Sequence, residues 1–404
     1  MRRLLKQLRL KVRANRIKRV VSNRGYELHF DSPTAAVNSP YALLIGVVFV
    51  PVGVKIESPE IKSGKVSSIK VLLHDRPDLK RDLKGFDSIG FSAILENTQD
   101  QLRSDCTFVF KAGGKRFESG FNVDFQEKKY GTFLNHKKEK LHRIQAILQC
   151  PQCSKEVQIG QLICASCQRS HVENERNLDF RTELLRNEID TSKAGNISAH
   201  DYDQKAVRII EKYPDGLILD NGSGLRKTYY KNVVNFEIAD YPTTDILGTG
   251  EQLPFKNESF DAVFSLSVLE HVKDPFTCVS EIMRVLKPGG DLFIAVPFLQ
   301  PFHGYPNHYY NMTSSGLKNL FEGVAEISEV GVSKAGHPFW SLQWFLSSYA
   351  NGLSEKESNE FKNLRISDII SPSADLEAKM LTQLDDSKRD ELASFNFLLG
   401  KKPK

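Results

Sequence analysis

Gly216-Leu217-Ile218-Leu219-Asp220-Asn221-Gly222-Ser223-Gly224 decides the fold of the C-terminal half, because a short apolar run ends in an acid and passes at once into a glycine turn. Such a run, bounded by glycines, reads as a buried strand. Glycines are needed after it because the backbone must turn sharply and approach a ligand without a Cβ in the way. Seventeen residues after Asp220 a second apolar run, Val233-Val234-Asn235-Phe236, ends at Glu237. That spacing suits a carboxylate at the tip of a neighbouring strand, placed to accept from the ribose hydroxyls of an adenosine ligand.

Outward from this turn the same grammar continues. Thr249-Gly250-Glu251-Gln252-Leu253-Pro254-Phe255, Ser259-Phe260-Asp261-Ala262-Val263, Ser267-Val268-Leu269-Glu270-His271-Val272 and Leu286-Lys287-Pro288-Gly289-Gly290 come in order at close intervals. Asp274-Pro275 predicts a capped helix start, and Phe276, Val279, Ile282, Met283 and Leu286 supply one apolar face until Pro288-Gly289-Gly290 ends it. Leu292-Phe293-Ile294-Ala295-Val296 has the continuous apolarity of a buried parallel strand. The alternation predicts an α/β Rossmann-like, doubly wound sheet with ligands at the carboxyl ends of its strands. In sequence and spacing, residues from about 195 to 400 resemble the class I S-adenosylmethionine-dependent methyltransferases of the type 11 kind.

The resemblance implies S-adenosylmethionine as cofactor. Asp220, Asn221, Gly222, Ser223 and Gly224 are expected around its methionine part, Glu237 at the ribose, and Gly250, Glu251, Gln252 and Leu253 beside the adenine, with Ser267 at the next strand end. Thr249 stands where relatives often carry an acid that accepts from the adenine amino group. The interval from Gly224 to Val233 is also too short for the usual long helix, so a loop is expected there.

Methyl transfer to a hydroxyl needs a base for the proton. The stretch Pro297 to Thr313 leaves the last strand at the carboxyl edge and carries His303 and His308 among five aromatics. His303 is the favoured base, with His308 and His271 as alternatives, and each has the blander reading of a ring packed in a loop. The aromatics suit a wall that stacks on a sugar. Similar His-Gly-Tyr-Pro stretches occur in methyltransferases of polysaccharide assembly, which implies a carbohydrate or glycan-precursor acceptor. Phe339, Trp340, Leu342, Trp344, Phe345 and Tyr349 read as a helical cap whose aromatics serve ordinary core packing or, as the alternative, a substrate lid, and Phe395 to Gly400 as a closing strand.

Upstream, Cys150-Pro-Gln-Cys153 and Cys164-Ala-Ser-Cys167 form two knuckles ten residues apart. Four soft thiolates suit tetrahedral Zn²⁺ and leave it no open position, so a small zinc ribbon over 150–181 is expected to be structural. It is similar to ribbons that precede methyltransferase domains, some of which contact RNA.

Residues 25–128 break into short β-type runs, Tyr41–Val50, Lys65–Leu73, Ser88–Leu95, Cys106–Lys111 and Arg116–Phe125, separated by turns such as Gly113-Gly114. They predict an N-terminal antiparallel β-sandwich. Loosely, the stretch resembles an accessory module beside bacterial polysaccharide enzymes. Leu141, Ile144 and Leu148 predict a connecting helix over 129–149.

The chain of 404 residues therefore reads as multidomain, with a basic segment 1–24 before the sandwich and a methyltransferase domain over 182–404. The net charge of +5 is misleading, since residues 1–24 hold ten Lys/Arg and no acid, leaving 45 bases against 50 acids elsewhere. An acidic body argues against a broad nucleic-acid grip. The basic segment is expected to stay solvated, to touch an anionic membrane surface or to act as an RNA-binding arm. Without a signal-peptide pattern, and with paired cysteines suiting a reducing compartment, the expected location is cytoplasmic, at most peripheral at the inner membrane face. Two other functions stay open: an RNA methyltransferase that reads through the ribbon, and a non-catalytic scaffold, suggested by Thr249 and the shortened connection.

Overall fold

The computed structural model describes residues 19–23, 26–33, 36–63, 67–75, 86–158, 160, 163–173, 176–189, 201–304 and 307–393. Expectations for residues 1–18 and for the strand Phe395–Gly400 lie outside these. The chain divides into two compact units, residues 1–269 with 274–295, and residues 270–273 with 296–404. The division falls within residues 182–404; among the described residues the last strand ends at Ala295 and the elements beyond it are helices.

The first unit begins with two antiparallel sheets. One has the order β1-β2-β3-β7-β6, from β1 (Arg19–Asn23), β2 (Tyr26–Ser32), β3 (Tyr41–Pro51), β6 (Leu72–Asp75) and β7 (Phe86–Glu96). The other has the order β5-β4-β8-β9, from β4 (Ile56–Ser63), β5 (Ser67–Lys70), β8 (Arg103–Ala112) and β9 (Lys115–Asp124). Leu28, Leu44, Phe91 and Leu95 of one and Ile61, Phe108, Phe110 and Phe121 of the other share one buried core, the packing of a β-sandwich. Two details differ from expectation. The end of the basic segment is not a free extension but a strand, since Arg19–Asn23 pairs with Tyr26–Phe30. The single run Lys65–Leu73 is split at Val71 into β5 and β6, which lie in different sheets.

A helix, α1 (Tyr130–Gln145), connects the sandwich to the rest of the unit. It buries Phe133, Lys137, Lys140 and Ile144, whereas Leu141 is only half-buried. The buried stripe therefore carries two lysines that a reading by hydrophobicity assigns to solvent. Both are satisfied by the sheet beyond. Lys137 Nζ donates to the carbonyls of Pro242 (2.8 Å) and Thr244 (2.6 Å), and Lys140 Nζ meets Asp245 Oδ2 at 2.8 Å.

After the antiparallel pair β10 (Val157–Gln158) and β11 (Ile163–Cys164), that sheet has the order β12-β13-β16-β15-β14-β17-β18, from β12 (Val172–Glu173), β13 (Leu178–Asp179), β14 (Ile218–Asn221), β15 (Val233–Glu237), β16 (Ile246–Leu247), β17 (Phe260–Leu266) and β18 (Leu286–Ala295). All neighbours are parallel except the β12-β13 hairpin. Leu178 and Asp179, assigned from sequence to the ribbon, instead extend this sheet by pairing with Ile246 and Leu247. Chain order runs one way from β14 through β16 and the other way from β17 to β18. The reversal falls between β14 and β17, the position where open α/β sheets bind ligands.

Among the described residues, β18 lies at the sheet's edge, and Leu292 to Val296 are half-buried instead of enclosed, because β17 covers one side only. Two helices accompany the central strands, α3 (Gln204–Lys212) before β14 and α4 (Pro275–Val285) between β17 and β18, while a short α2 (Glu183–Glu188) comes after β13. Asp203 and Asp274 cap α3 and α4 by accepting from Ala206 and Thr277 amides. Residues 225–232 form a loop, as their number dictates, and α1 packs on it through Phe133 against Tyr229 at 4.9 Å between centroids.

The second unit holds α5 (Ser314–Phe321), α6 (Pro338–Asn351), α7 (Glu355–Lys362), α8 (Ile366–Ile370), α9 (Ala374–Thr382) and α10 (Asp386–Glu391). Thr313, His337, Ser354, Ser373 and Asp385 cap five of them with side-chain acceptors. The helical expectation for 339–349 is met, but the packing expectation is not: Phe339 and Trp340 are 55% and 53% exposed. No helix among the described residues is long and apolar enough to cross a membrane.

Candidate functional site

At the strand tips of the first unit the turns singled out from sequence come together. Gly222 sits at φ +79°, and a Cβ there would stand 2.2 Å from Val268 Cγ2, so only glycine lets the turn after β14 lie against the turn after β17. The amides of Gly222 and Ser223 both donate to the Phe236 carbonyl, and the Gly224 amide donates to Glu237 Oε2 at 2.7 Å. The other Glu237 oxygen accepts from the amides of Ile238 (2.8 Å) and Ala239 (3.3 Å). Glu237 is thereby held in one orientation across the tips of β14 and β15. Burial nonetheless raises its pKa, with the backbone donors opposing.

Asn221 is buried, its side-chain amide directed at Cys278 Sγ (3.6 Å), and Gly250 packs on both. The Gln252 amide closes the turn onto the Thr249 carbonyl (3.1 Å), Glu251 is half-buried, and Leu253 is buried with its amide on Glu281. Ser267 holds the left-handed backbone at φ +59°, a conformation a serine adopts only where neighbours enforce it. Ser223 is buried with its hydroxyl on the Gly224 carbonyl.

Asp220 departs from its expected role. It is wholly buried, Arg226 grips it through Nε to Oδ2 (2.9 Å) and Nη2 to Oδ1 (3.2 Å), and the Tyr202 hydroxyl donates to Oδ2 at 2.5 Å. The guanidinium lies 4.3 Å from the centroid of the Tyr202 ring. Asp220 thus anchors Arg226 below the turn. Arg226 and Tyr202 carry no sequence signal of this, since each sits in an unpatterned stretch.

The four cysteines meet as well. Sγ of Cys150 and Cys167 are 3.6 Å apart, those of Cys153 and Cys164 are 3.3 Å apart, and all four lie within 4.8 Å of one another. The two knuckles repeat one geometry: the Ser154 amide returns to the Cys150 carbonyl and Gln168 to Cys164, with Ser154 and Gln168 at φ +56° and +57°. Backbone amides lower the Cys164 thiol to about 6, while burial raises Cys150 to about 12. The set fits one tetrahedral ion.

In the second unit the three histidines cluster. Ring centroids are 5.3 Å apart for His271 and His303, 4.4 Å for His303 and His308, and 5.5 Å for His271 and His308. His308 has no free nitrogen: Nδ1 accepts from the His303 amide (3.1 Å), and Nε2 faces the Tyr310 carbonyl (3.2 Å) and Asn311 Oδ1 (3.1 Å). His271 and His303 each bond a backbone carbonyl through Nδ1, those of Asn307 (2.7 Å) and Pro301 (2.8 Å). A carbonyl only accepts, so Nδ1 carries a proton in both rings, and in the neutral form of each the lone pair is at Nε2. Burial lowers the His271 pKa, which favours this neutral form. Beside them Glu270, which lies inside a strand-end motif but carries no sequence signal of a site role, is fully buried, and burial raises its pKa to about 8.

Residues 225–294 match the family profile described as a methyltransferase domain. An uncharacterized methyltransferase of Mycobacterium tuberculosis is 32% identical over 116 residues, 28% of this chain and 42% of that protein. A tRNA U34 carboxymethyltransferase of Nautilia profundicola is 32% identical over 87 residues, 22% of this chain and 28% of that one. The chain thus spans less than half the length of these curated relatives. A Thermotoga maritima methyltransferase structure superposes with TM-score 0.22 at 22% identity, covering 31% of this chain and 77% of that one. A Haemonchus contortus phosphoethanolamine N-methyltransferase 2 gives 0.26 at 12%, covering 94% and 68%. At such scores the superpositions carry no architectural argument.

Proposed function

We propose that the protein is an S-adenosylmethionine-dependent methyltransferase that transfers methyl to a carbohydrate hydroxyl in surface-glycan assembly. The observation that carries the cofactor class is the hydrogen bond from the Gly224 amide to Glu237, which joins the glycine turn to the ribose-type carboxylate at the reversal of strand order. The match to a methyltransferase domain over residues 225–294, which takes in Glu237 and begins just after Gly224, agrees with it. The tips fit an adenosine: a turn with no Cβ in the way, and a carboxylate whose orientation is preset while lone pairs remain for hydroxyls. S-adenosylmethionine, when bound, supplies an electrophilic methyl on sulfur.

The chain's own work is then to bind, orient and take a proton. Glu237 would accept from the ribose, the turns at Gly222–Gly224 and Gly250–Gln252 would flank the ligand, and Arg226 would be held by Asp220 and Tyr202 as a fixed cation beneath the turn. For the acceptor hydroxyl, the Nε2 lone pairs of His303 and His271 are available as base, whereas His308 positions His303 through its amide. Exposed Phe298, Phe302, Tyr309, Tyr310 and Trp340 support a stacking surface for sugar rings. The four thiolates would hold Zn²⁺ with no position left for water, a structural role.

The tRNA-modifying relative favours RNA as the second acceptor class. A labelled-methyl assay over glycan precursors, total RNA and protein extracts decides between them. Label entering glycan and lost in His303→Ala is the expected outcome, and label entering RNA alone would replace the carbohydrate reading. If calorimetry shows no heat with S-adenosylmethionine for the wild type, the cofactor reading itself falls and a scaffold remains.

A further inference from the structure

Glu270 poses a problem that hydrogen bonding within the described residues does not solve. Its side chain is 0% exposed, and neither carboxylate oxygen has a hydrogen-bond partner. An isolated carboxylate in such a place is costly unless it is protonated or meets a cation. His271 Nε2 lies 3.8 Å from Oε1, and that nitrogen holds a lone pair because the ring's proton is committed at Nδ1 to the Asn307 carbonyl. His303 is built the same way, its Nδ1 proton committed to the Pro301 carbonyl and its Nε2 left open. Two imidazoles anchored by backbone carbonyls at Nδ1 are set in the tautomer that turns Nε2 to a metal, the orientation required of histidine ligands.

We infer that Glu270, His271 and His303 form a binding site for a divalent first-row cation of the Zn²⁺, Mn²⁺, Co²⁺ class. A ligand atom from each of the three lies within 4.8 Å of the others. The His271 Nε2–Glu270 Oε1 distance of 3.8 Å is close to the separation of roughly 3.3–3.6 Å that bonds of about 2.0–2.2 Å to one tetrahedral ion set. Two imidazoles and one carboxylate are a donor set for such cations, and three protein ligands leave positions open. The supports are specific. Gly304 stands at φ +89°, and a Cβ there would fall 2.2 Å from His271 Cε1, so glycine alone lets the His303 segment lie against the His271 ring. His308 holds the His303 amide and spends its other nitrogen on Tyr310 and Asn311. The amides of Tyr309 and Tyr310 close on the Glu270 carbonyl at 2.7 and 3.1 Å, fixing the backbone at the carboxylate.

On binding, Glu270 enters as carboxylate and both histidines as neutral bases, so the ion meets one negative charge and keeps one positive charge of its own. With the ion bound, the two Nε2 lone pairs are spent on it and no longer serve as base; its open positions can instead take an oxygen ligand and ease loss of that ligand's proton to solvent. That the oxygen is an acceptor hydroxyl rests on the methyl-transfer reading. Binding of the ion does not.

The test reads metal directly. One equivalent of Zn²⁺ is first added to fill the four-cysteine site, whose thiolates are the softer set, and Mn²⁺ is then titrated while the electron paramagnetic resonance signal of free aqueous Mn²⁺ is monitored. One Mn²⁺ per chain is expected, weakened about tenfold or more in Glu270→Gln and in His303→Gln. Cobalt in the same protein should add weak visible bands without the intense near-ultraviolet absorption of cobalt–thiolate. No Mn²⁺ or Co²⁺ bound at millimolar metal overturns the site, as does binding that both variants leave unchanged. Circular dichroism of each variant separates a lost ligand from a lost fold, and the wild-type titration decides even if a variant fails to fold. S-adenosylmethionine calorimetry on the same sample reports separately on the methyl-transfer reading.

Discussion

Replacing Lys140 by methionine removes one half of an ion pair in which both side chains are wholly buried. Lys140 Nζ lies 2.8 Å from Asp245 Oδ2 and 3.5 Å from the Tyr229 ring centroid, while Asp245 also accepts from the Tyr229 hydroxyl (2.5 Å) and the Asn235 amide (2.9 Å). At an effective dielectric near 20 the gross attraction at this distance is about 6 kcal/mol, and desolvation of both charges offsets much of it. Loss of one partner is different, because Asp245 keeps its desolvation cost without its cation. A loss of about 3–5 kcal/mol is expected. For a sheet domain of this size that is a fall of roughly 6–20 °C in the transition, read by calorimetry. Lys140→Met combined with Asp245→Asn should recover most of it, since an asparagine side chain can still accept from the Asn235 amide and donate to Tyr229. A cost of less than about 1 kcal/mol for Lys140→Met, or a double variant no better than the single one, would refute a buried pair whose members depend on each other.

Three further outcomes are expected. Burial lowers the His171 pKa to about 4, so from there up to its unfolded value near 6.5 the unfolded chain binds a proton that the folded chain lacks. Stability of the wild type relative to His171→Gln should therefore rise with pH through that window, and urea titrations showing a falling or flat difference would contradict it. Gly222→Ala should abolish measurable S-adenosylmethionine heat, because the new methyl group meets Val268 at a left-handed residue; retained affinity would remove the turn from the site. Cys164→Ser should lower bound zinc from one equivalent at the cysteine site to none and expose residues 150–170 to protease, whereas full zinc content would count against a four-thiolate site.

Legibility in the sequence depends on how local a signal is. The glycine turn, Glu237, the Cys-x-x-Cys pairs, the Asp274-Pro275 helix start and the loop after Gly224 are each set by backbone conformation or ligand chemistry within a few residues. The structure accordingly places Gly222, Gly224 and Glu237 together, and all four sulfurs within 4.8 Å. Periodicity does less well where burial is decided at a distance. It gives no sign that Lys137 and Lys140 are buried, makes Leu292–Val296 an enclosed strand, and assigns Phe339 and Trp340 a core they do not have.

The element types, the four clustered cysteines and the turns that meet at the strand tips are written in the chain itself, because turns, caps and Cys-x-x-Cys spacings are properties of short segments. Three-dimensional packing alone settles that Asp220 serves Arg226 and Tyr202, that Lys140 is the buried partner of Asp245, and that Glu270 is left without a hydrogen bond beside two histidines with open nitrogens. Those facts depend on which charges are brought within a few ångströms of one another and which are stripped of water, and no local pattern encodes either.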